Sequence, residues 1–203
     1  MKTNKSMILT KLSLLERAVN SNSNRIELPN PSEIVDVLLD LEKLAKKENI
    51  NYNISDLTGS WNLRFITGTK KSRAKAGIVL GAGKYIPRLI KIELNYQTDS
   101  QSNLNTGRVN NSVILGGINL SLSGPVKFIS QNNNILAFDF TAITIKLFGL
   151  KVYDGYLKNG RVKEREFYKT KIKQQAFFNY FLIKDNLIAA RGRGGGLALW
   201  GRN

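Results

Sequence analysis

A chain of 203 residues, 42% of them hydrophobic, is long enough for one domain with a real core and too apolar for global disorder. It contains no cysteine and no histidine, which excludes disulfides, thiolate metal sites and Ser-His-Asp or Cys-His triads, and removes the commonest general base. Its net charge of +16, from 31 basic and 15 acidic side chains, calls for an anionic partner such as lipid headgroups, an acidic protein surface or nucleic acid.

The first fifty residues read as helix. Met7, Ile8, Leu12, Leu15 and Val19 recur at helical spacing and form one face. Ser21-Asn22-Ser23-Asn24 breaks the pattern. Asn30-Pro31-Ser32-Glu33 starts a second helix, with Asn30 as cap, Pro31 in the first turn and Glu33 completing a capping box. Its apolar face is Ile34, Val35, Leu38, Leu41 and Leu44, and it ends near Lys46-Lys47, where cations suit the helix dipole. No run approaches the ~18 apolar residues of a membrane-spanning helix. The expected location is therefore the cytoplasmic or stromal side, soluble or peripheral to a membrane.

From Leu57 onward the period changes to two. Trp61, Leu63 and Phe65 alternate with polar neighbours, as do Ile90, Ile92, Leu94 and Tyr96, then Leu120 and Leu122. Phe138, Phe140 and Ala142 share one face of a strand over Ile135–Leu147, and Leu182–Arg191 with Leu197–Trp200 makes a last hairpin. Residues 97–105 read as a loop, and Asp154–Gln175 stays open between strands and loop. The pattern predicts a mainly β protein with N-terminal helices: a helical segment, 1–53, and an antiparallel β-barrel domain, 54–203. Residues 1–50 carry eight basic and seven acidic groups, whereas 51–203 carry 23 and eight, so the barrel region holds nearly all the excess charge.

Asp56-Leu57-Thr58-Gly59-Ser60-Trp61-Asn62-Leu63-Arg64-Phe65, preceded by helices, resembles the opening strand of the plastid lipid-associated (fibrillin) family. Gly107–Asn111 resembles its mid-barrel segment. Tyr180–Gly192 resembles its penultimate strand, turn and Arg-Gly ending, and Gly195–Trp200 its short final strand. Arg193 stands where that family commonly has an acidic residue. The resemblance implies a lipocalin-like barrel that binds lipids, prenylquinones or carotenoids at thylakoids or lipid globules. It brings no catalytic residues.

Trp61, Phe65, Tyr96, Phe128, Phe138 and Phe140 are the candidate ligand-binding side chains, although a small barrel is either filled by side chains or holds one ligand. Trp61 is equally read as the plug of the closed end. Lys70, Lys71, Arg73, Lys75, Lys84 and Arg88 flank the apolar stretch Gly77–Gly83 with no acidic residue among them. Such a segment suits an anchor on anionic lipid or an acidic partner, or is a solvated loop whose apolar part packs on the barrel. Gly81-Ala82-Gly83-Lys84 lacks the rest of a phosphate loop, and Arg191–Gly196 reads as a hairpin turn rather than an RGG box. Asp139, Asp154, Glu164 and Glu166 are expected in surface ion pairs, and no metal site is expected. The leading expectation is non-enzymatic binding of an apolar ligand at a photosynthetic membrane. The second is a basic protein docking on an acidic photosynthetic complex. Nucleic acid ranks behind both, since no RRM or KH signature is present.

Overall fold

Asn30 and Pro31 start a helix as their chemistry requires. The Asn30 side-chain oxygen accepts from the Ser32 amide at 3.0 Å, and Pro31 occupies the first position, where no amide donor is needed. Asn49, in the left-handed conformation at φ 50°, ends it by donating its amide to Ala45 O. The computed structural model describes residues 2–20, 27–68, 83–99, 105–129 and 134–202. The helices are α1 (Lys2–Asn20) and α2 (Pro31–Glu48). A short α3 (Gly160–Glu166) follows eight of the strands: β1 (Gly59–Ile66), β2 (Lys84–Tyr85), β3 (Ile90–Thr98), β4 (Thr106–Leu115), β5 (Ile118–Ile129), β6 (Ile135–Phe138), β7 (Ala142–Leu147) and β8 (Leu150–Tyr156). Then come β9 (Ala176–Ile183), β10 (Leu187–Gly192) and β11 (Leu197–Arg202).

Eight antiparallel strands close into a barrel in the order β1, β3, β4, β5, β6, β9, β10, β11, with β11 back on β1. The expected mainly β, lipocalin-like architecture with N-terminal helices is what forms. The helices lie outside the barrel. Leu15, Ala18 and Val19 of α1 and Ile34, Val35, Leu38, Leu41 and Ala45 of α2 pack on Phe181, Leu187, Ala189, Leu197 and Leu199, the outward residues of β9–β11. Each leucine-sized side chain so buried contributes about 1.5–3 kcal/mol. Gly201 lets α1 approach closely, since a Cβ there would meet the Val19 Cβ at 2.8 Å. Glu42, the one acidic residue on the buried face of α2, bonds Arg191 of β10 through both carboxylate oxygens. Met7 is 52% exposed, because the buried stripe of α1 lies in its C-terminal half.

Two breaks of register correct the sequence reading. A bulge between Leu63 and Phe65 shifts β1 against β11, so Leu63 faces Trp200 and Phe65 faces Leu199. Trp200 belongs to the interior and Leu199 to the outer cluster, so Phe65 turns outward onto Tyr85, with ring centroids 5.1 Å apart. The second break replaces the continuous strand Ile135–Leu147. The chain leaves β6 at Phe138 and re-enters the sheet as β7 at Ala142, still beside β5. Phe138 faces Val126 on the interior side, but Ala142 faces Ser123, so the two no longer share a face. Gly124 makes room for the crossing, since a Cβ there would sit 2.0 Å from Asp139 O. At this fork β9 closes the barrel on β6, while β8 extends the sheet on β7.

Leu182–Arg191 contains the turn between β9 and β10, within the Tyr180–Gly192 segment read as strand, turn and Arg-Gly ending. Asp154–Gln175 is neither strand nor loop throughout, because it holds α3. Glu164 fixes that helix to the fork, accepting from Arg108 at 2.6 Å and from Thr141 at 2.8 Å. Burial would raise its carboxyl, but those two bonds and the Arg108 charge hold it below the ordinary value. Asp154 pairs with Lys151 at 2.8 Å and Asp139 with Lys163 at 3.6 Å, the expected surface ion pairs.

Candidate functional site

One end of the barrel is plugged. A 3₁₀ turn, Ile54–Leu57, lays Ile54 and Leu57 against the interior, and Trp61 donates its indole N–H to Leu57 O at 2.7 Å. The Arg202 guanidinium covers the Trp61 ring at 4.7 Å. Asn134 ties the preceding linker down, accepting from the Tyr52 amide at 2.9 Å and donating to Ile50 O at 2.5 Å.

The middle is filled. Tyr96 and Tyr180 share a hydroxyl hydrogen bond of 2.9 Å among Val109, Phe128 and Leu136, all buried. Burial pushes both phenols up, which keeps them neutral and the bond intact. Replacing Tyr96 with phenylalanine is expected to strand the Tyr180 hydroxyl and cost about 1–3 kcal/mol in chemical denaturation. Three of the candidate ligand-binding residues, Trp61, Tyr96 and Phe128, are thus part of the packed core at 0–2% exposure, and Phe65 lies outside the barrel altogether.

At the other end the described residues are less buried. Phe138, Phe140 and Phe178 are half-buried and form an aromatic floor. The Phe138 ring lies 5.3 Å from Phe140 and stacks on Phe178 at 5.1 Å, and Phe178 meets Trp200 edge-on at 5.4 Å. Of the six candidates the structure brings two, Phe138 and Phe140, to this mouth.

Above the floor rises a wall that sequence reasoning did not assemble. The halves of β3, β4 and β5 nearest the mouth run past the last pairing between β1 and β3, at Asn62 and Glu93, and β7 and β8 continue the sheet. Registered pairs put Ile92 opposite Val113, Val113 opposite Leu120, and Leu120 opposite Ile145. One row further out stand Ile90, Leu115, Ile118 and Leu147. These residues lie on the side of the sheet that faces the barrel interior lower down, yet none of them is buried. The reverse side carries Lys91, Asn119, Ser121 and Thr144. The alternation at Ile90–Tyr96 and Leu120–Ser123 was the available signal.

Two desolvated polar atoms sit near the mouth. Asn111 lies on the apolar side between Leu94 and Leu122, and its side-chain oxygen is buried with no hydrogen-bond partner. Arg64, at the bulge of β1, has a buried Nε in the same condition, and burial lowers its pKa. Lys84 and Arg88 are exposed at the same end, whereas Lys70, Lys71, Arg73 and Lys75 lie outside the described residues. No family model matches the chain, and no curated protein matches it.

Among the described residues no cluster of carboxylates could hold a metal ion, and no helix is long and apolar enough to cross a membrane. The described carboxylates near the mouth engage lysine or arginine, as Glu93 does with Lys91 at 2.8 Å. What the arrangement offers is an apolar receptacle with isolated hydrogen-bonding groups.

Proposed function

We propose that the protein binds one apolar or amphiphilic molecule at the mouth of its barrel, without catalysis, at an anionic membrane surface. The observation that carries this reading is the apolar wall, which no described element covers, continuous with the barrel interior and rising from an aromatic floor. Covering it removes apolar surface from water at about 25 cal/mol per Å², before binding costs are subtracted. A lipid, prenylquinone or carotenoid has the right chemistry, and the resemblance to the fibrillin family favours these at a photosynthetic membrane. Asn111 narrows the choice. A hydroxyl on the ligand donates to its side-chain oxygen, whereas a carbonyl alone or a pure hydrocarbon leaves that oxygen unpaired.

The test is to express the protein in a host containing pigments and quinones, purify it without detergent, and analyse an organic extract by mass spectrometry. A stoichiometric apolar molecule is expected. Leu120→Lys, at a half-exposed wall position, should leave the melting temperature nearly unchanged and reduce bound ligand about tenfold or more. An empty wild-type protein from that host would sink the carrier reading. It would favour the second one, docking on an acidic photosynthetic complex, which rests on the charge excess of residues 51–203.

A further inference from the structure

Three turns meet at the outer end of the wall. The β2–β3 turn exposes Leu89 by 84%, Leu115 and Ile118 flank the β4–β5 turn at 53% each, and the β7–β8 turn exposes Phe148 by 88% and Leu150 by 74%. Register sets them side by side, with Ile90 opposite Leu115, Leu115 opposite Ile118, and Ile118 opposite Leu147. The Phe148 amide donates to Gly117 O at 2.7 Å, joining two of the tips.

Phe148 and Gly149 have φ 48° and 85°, the pair of positive angles that a two-residue hairpin turn demands. Asn-Gly is the favoured pair there, because asparagine enters the left-handed region with less strain than a bulky residue. A phenylalanine held in that conformation, its ring edge against Gly117 and 88% of its surface in water, gains little from burial. Among the described residues five cations surround the tips, Lys84, Arg88, Lys91, Lys146 and Lys151, against two carboxylates, Glu93 and Asp154.

We propose that these apolar tips, led by Phe148, insert into the interfacial region of an anionic lipid bilayer, so that the mouth opens directly onto the membrane. The inference rests on the reading that the protein works at a membrane and names the part that touches it. The charge argues for lipid over a second copy of the chain, since two copies meeting here would oppose the same sign. Exposed leucine and phenylalanine enter the acyl boundary while lysine and arginine remain at the phosphates.

Sedimentation with vesicles of phosphatidylcholine, with and without phosphatidylglycerol, tests this. Wild-type protein should bind the anionic vesicles and bind the neutral ones much more weakly. Phe148→Asn should weaken anionic binding about tenfold or more while the melting temperature holds or rises. Phe148→Trp should keep binding and show a blue-shifted emission with vesicles, beyond the signal of the buried Trp61 and Trp200. Undiminished vesicle binding by Phe148→Asn would overturn the proposal. So would a wild-type dimer, or a complex with an acidic protein, that the same substitution dissolves. Extracted ligand separates this inference from the one it rests on. Ligand retained by Phe148→Asn with lost vesicle binding supports both, and Phe148-dependent binding by a protein that never carries ligand supports the tip alone.

Discussion

Replacing Trp61 with alanine is expected to lower the free energy of unfolding by about 3–5 kcal/mol. The ring is wholly buried at the plugged end, between the 3₁₀ turn and Arg202. Truncation opens a cavity among Leu57, Leu94 and Trp200 that these neighbours, held in strands and a hydrogen-bonded turn, cannot collapse to fill. It also leaves Leu57 O without its donor, and Arg202 without the face it covers. Arg202 keeps its bonds to Thr58 O at 3.0 Å and Asp185 O at 3.2 Å, so the closing turn loosens rather than detaches. Urea denaturation with an unchanged slope would report the loss cleanly. The experiment also decides between the two sequence readings of this residue. A variant of near-native stability that has lost its extracted ligand would place Trp61 in the binding site instead of the plug.

The second large effect concerns the helix platform. Glu42→Ala is expected to cost about 2–4 kcal/mol, because among the described residues it leaves the Arg191 guanidinium beneath α2 with Gly195 O, at 2.6 Å, as its partner. The lower end of that range reflects Arg191, whose side chain keeps 28% of its surface in water. The same pair dictates a pH dependence. Burial acts to raise the Glu42 carboxyl, but the hydrogen bonds and charge of Arg191, with Lys46 at 3.3 Å, outweigh it and hold it below the ordinary glutamate value of 4.5. A depressed folded-state value means that the stabilisation is complete above the unfolded value and is lost as pH falls through the folded one. The stability difference between wild type and Glu42→Ala should therefore be flat above about pH 5 and shrink progressively below it. A difference that grows on acidification would contradict the assignment.

The elements that sequence revealed are those whose signals are local. Asn30-Pro31 marks a helix start by stereochemistry alone, and alternation at Ile90–Tyr96 marks a strand by burial of one face. What stayed hidden depends on contacts distant in sequence. Alternation cannot detect the bulge after Leu63, because the extra residue is visible only against β11. It cannot orient β10, where Leu187, Ile188, Ala189 and Ala190 are all buried because helices cover the outer face as the barrel core covers the inner one. α3 has no apolar stripe of its own. Glu164 secures it to Arg108 and Thr141, and Phe167, just after it, is buried beneath Lys127. The wall was half legible. Its alternating strands could be read, but that no described element covers their apolar side follows only from the fork at Asp139–Thr141, which sends β8 away from the barrel.

The placement of α1 and α2 has a consequence for how the chain reaches this state. The helices are made first, yet the surface that buries their apolar faces belongs to β9, β10 and β11, which are made last. The barrel seam closes in the same way, since β1 waits for β11 across most of the chain. Throughout synthesis, therefore, a greasy pair of helices and an unsealed sheet must remain in water or in the care of a chaperone. Docking of the platform and sealing of the barrel then become one late, high-contact-order event rather than two independent steps.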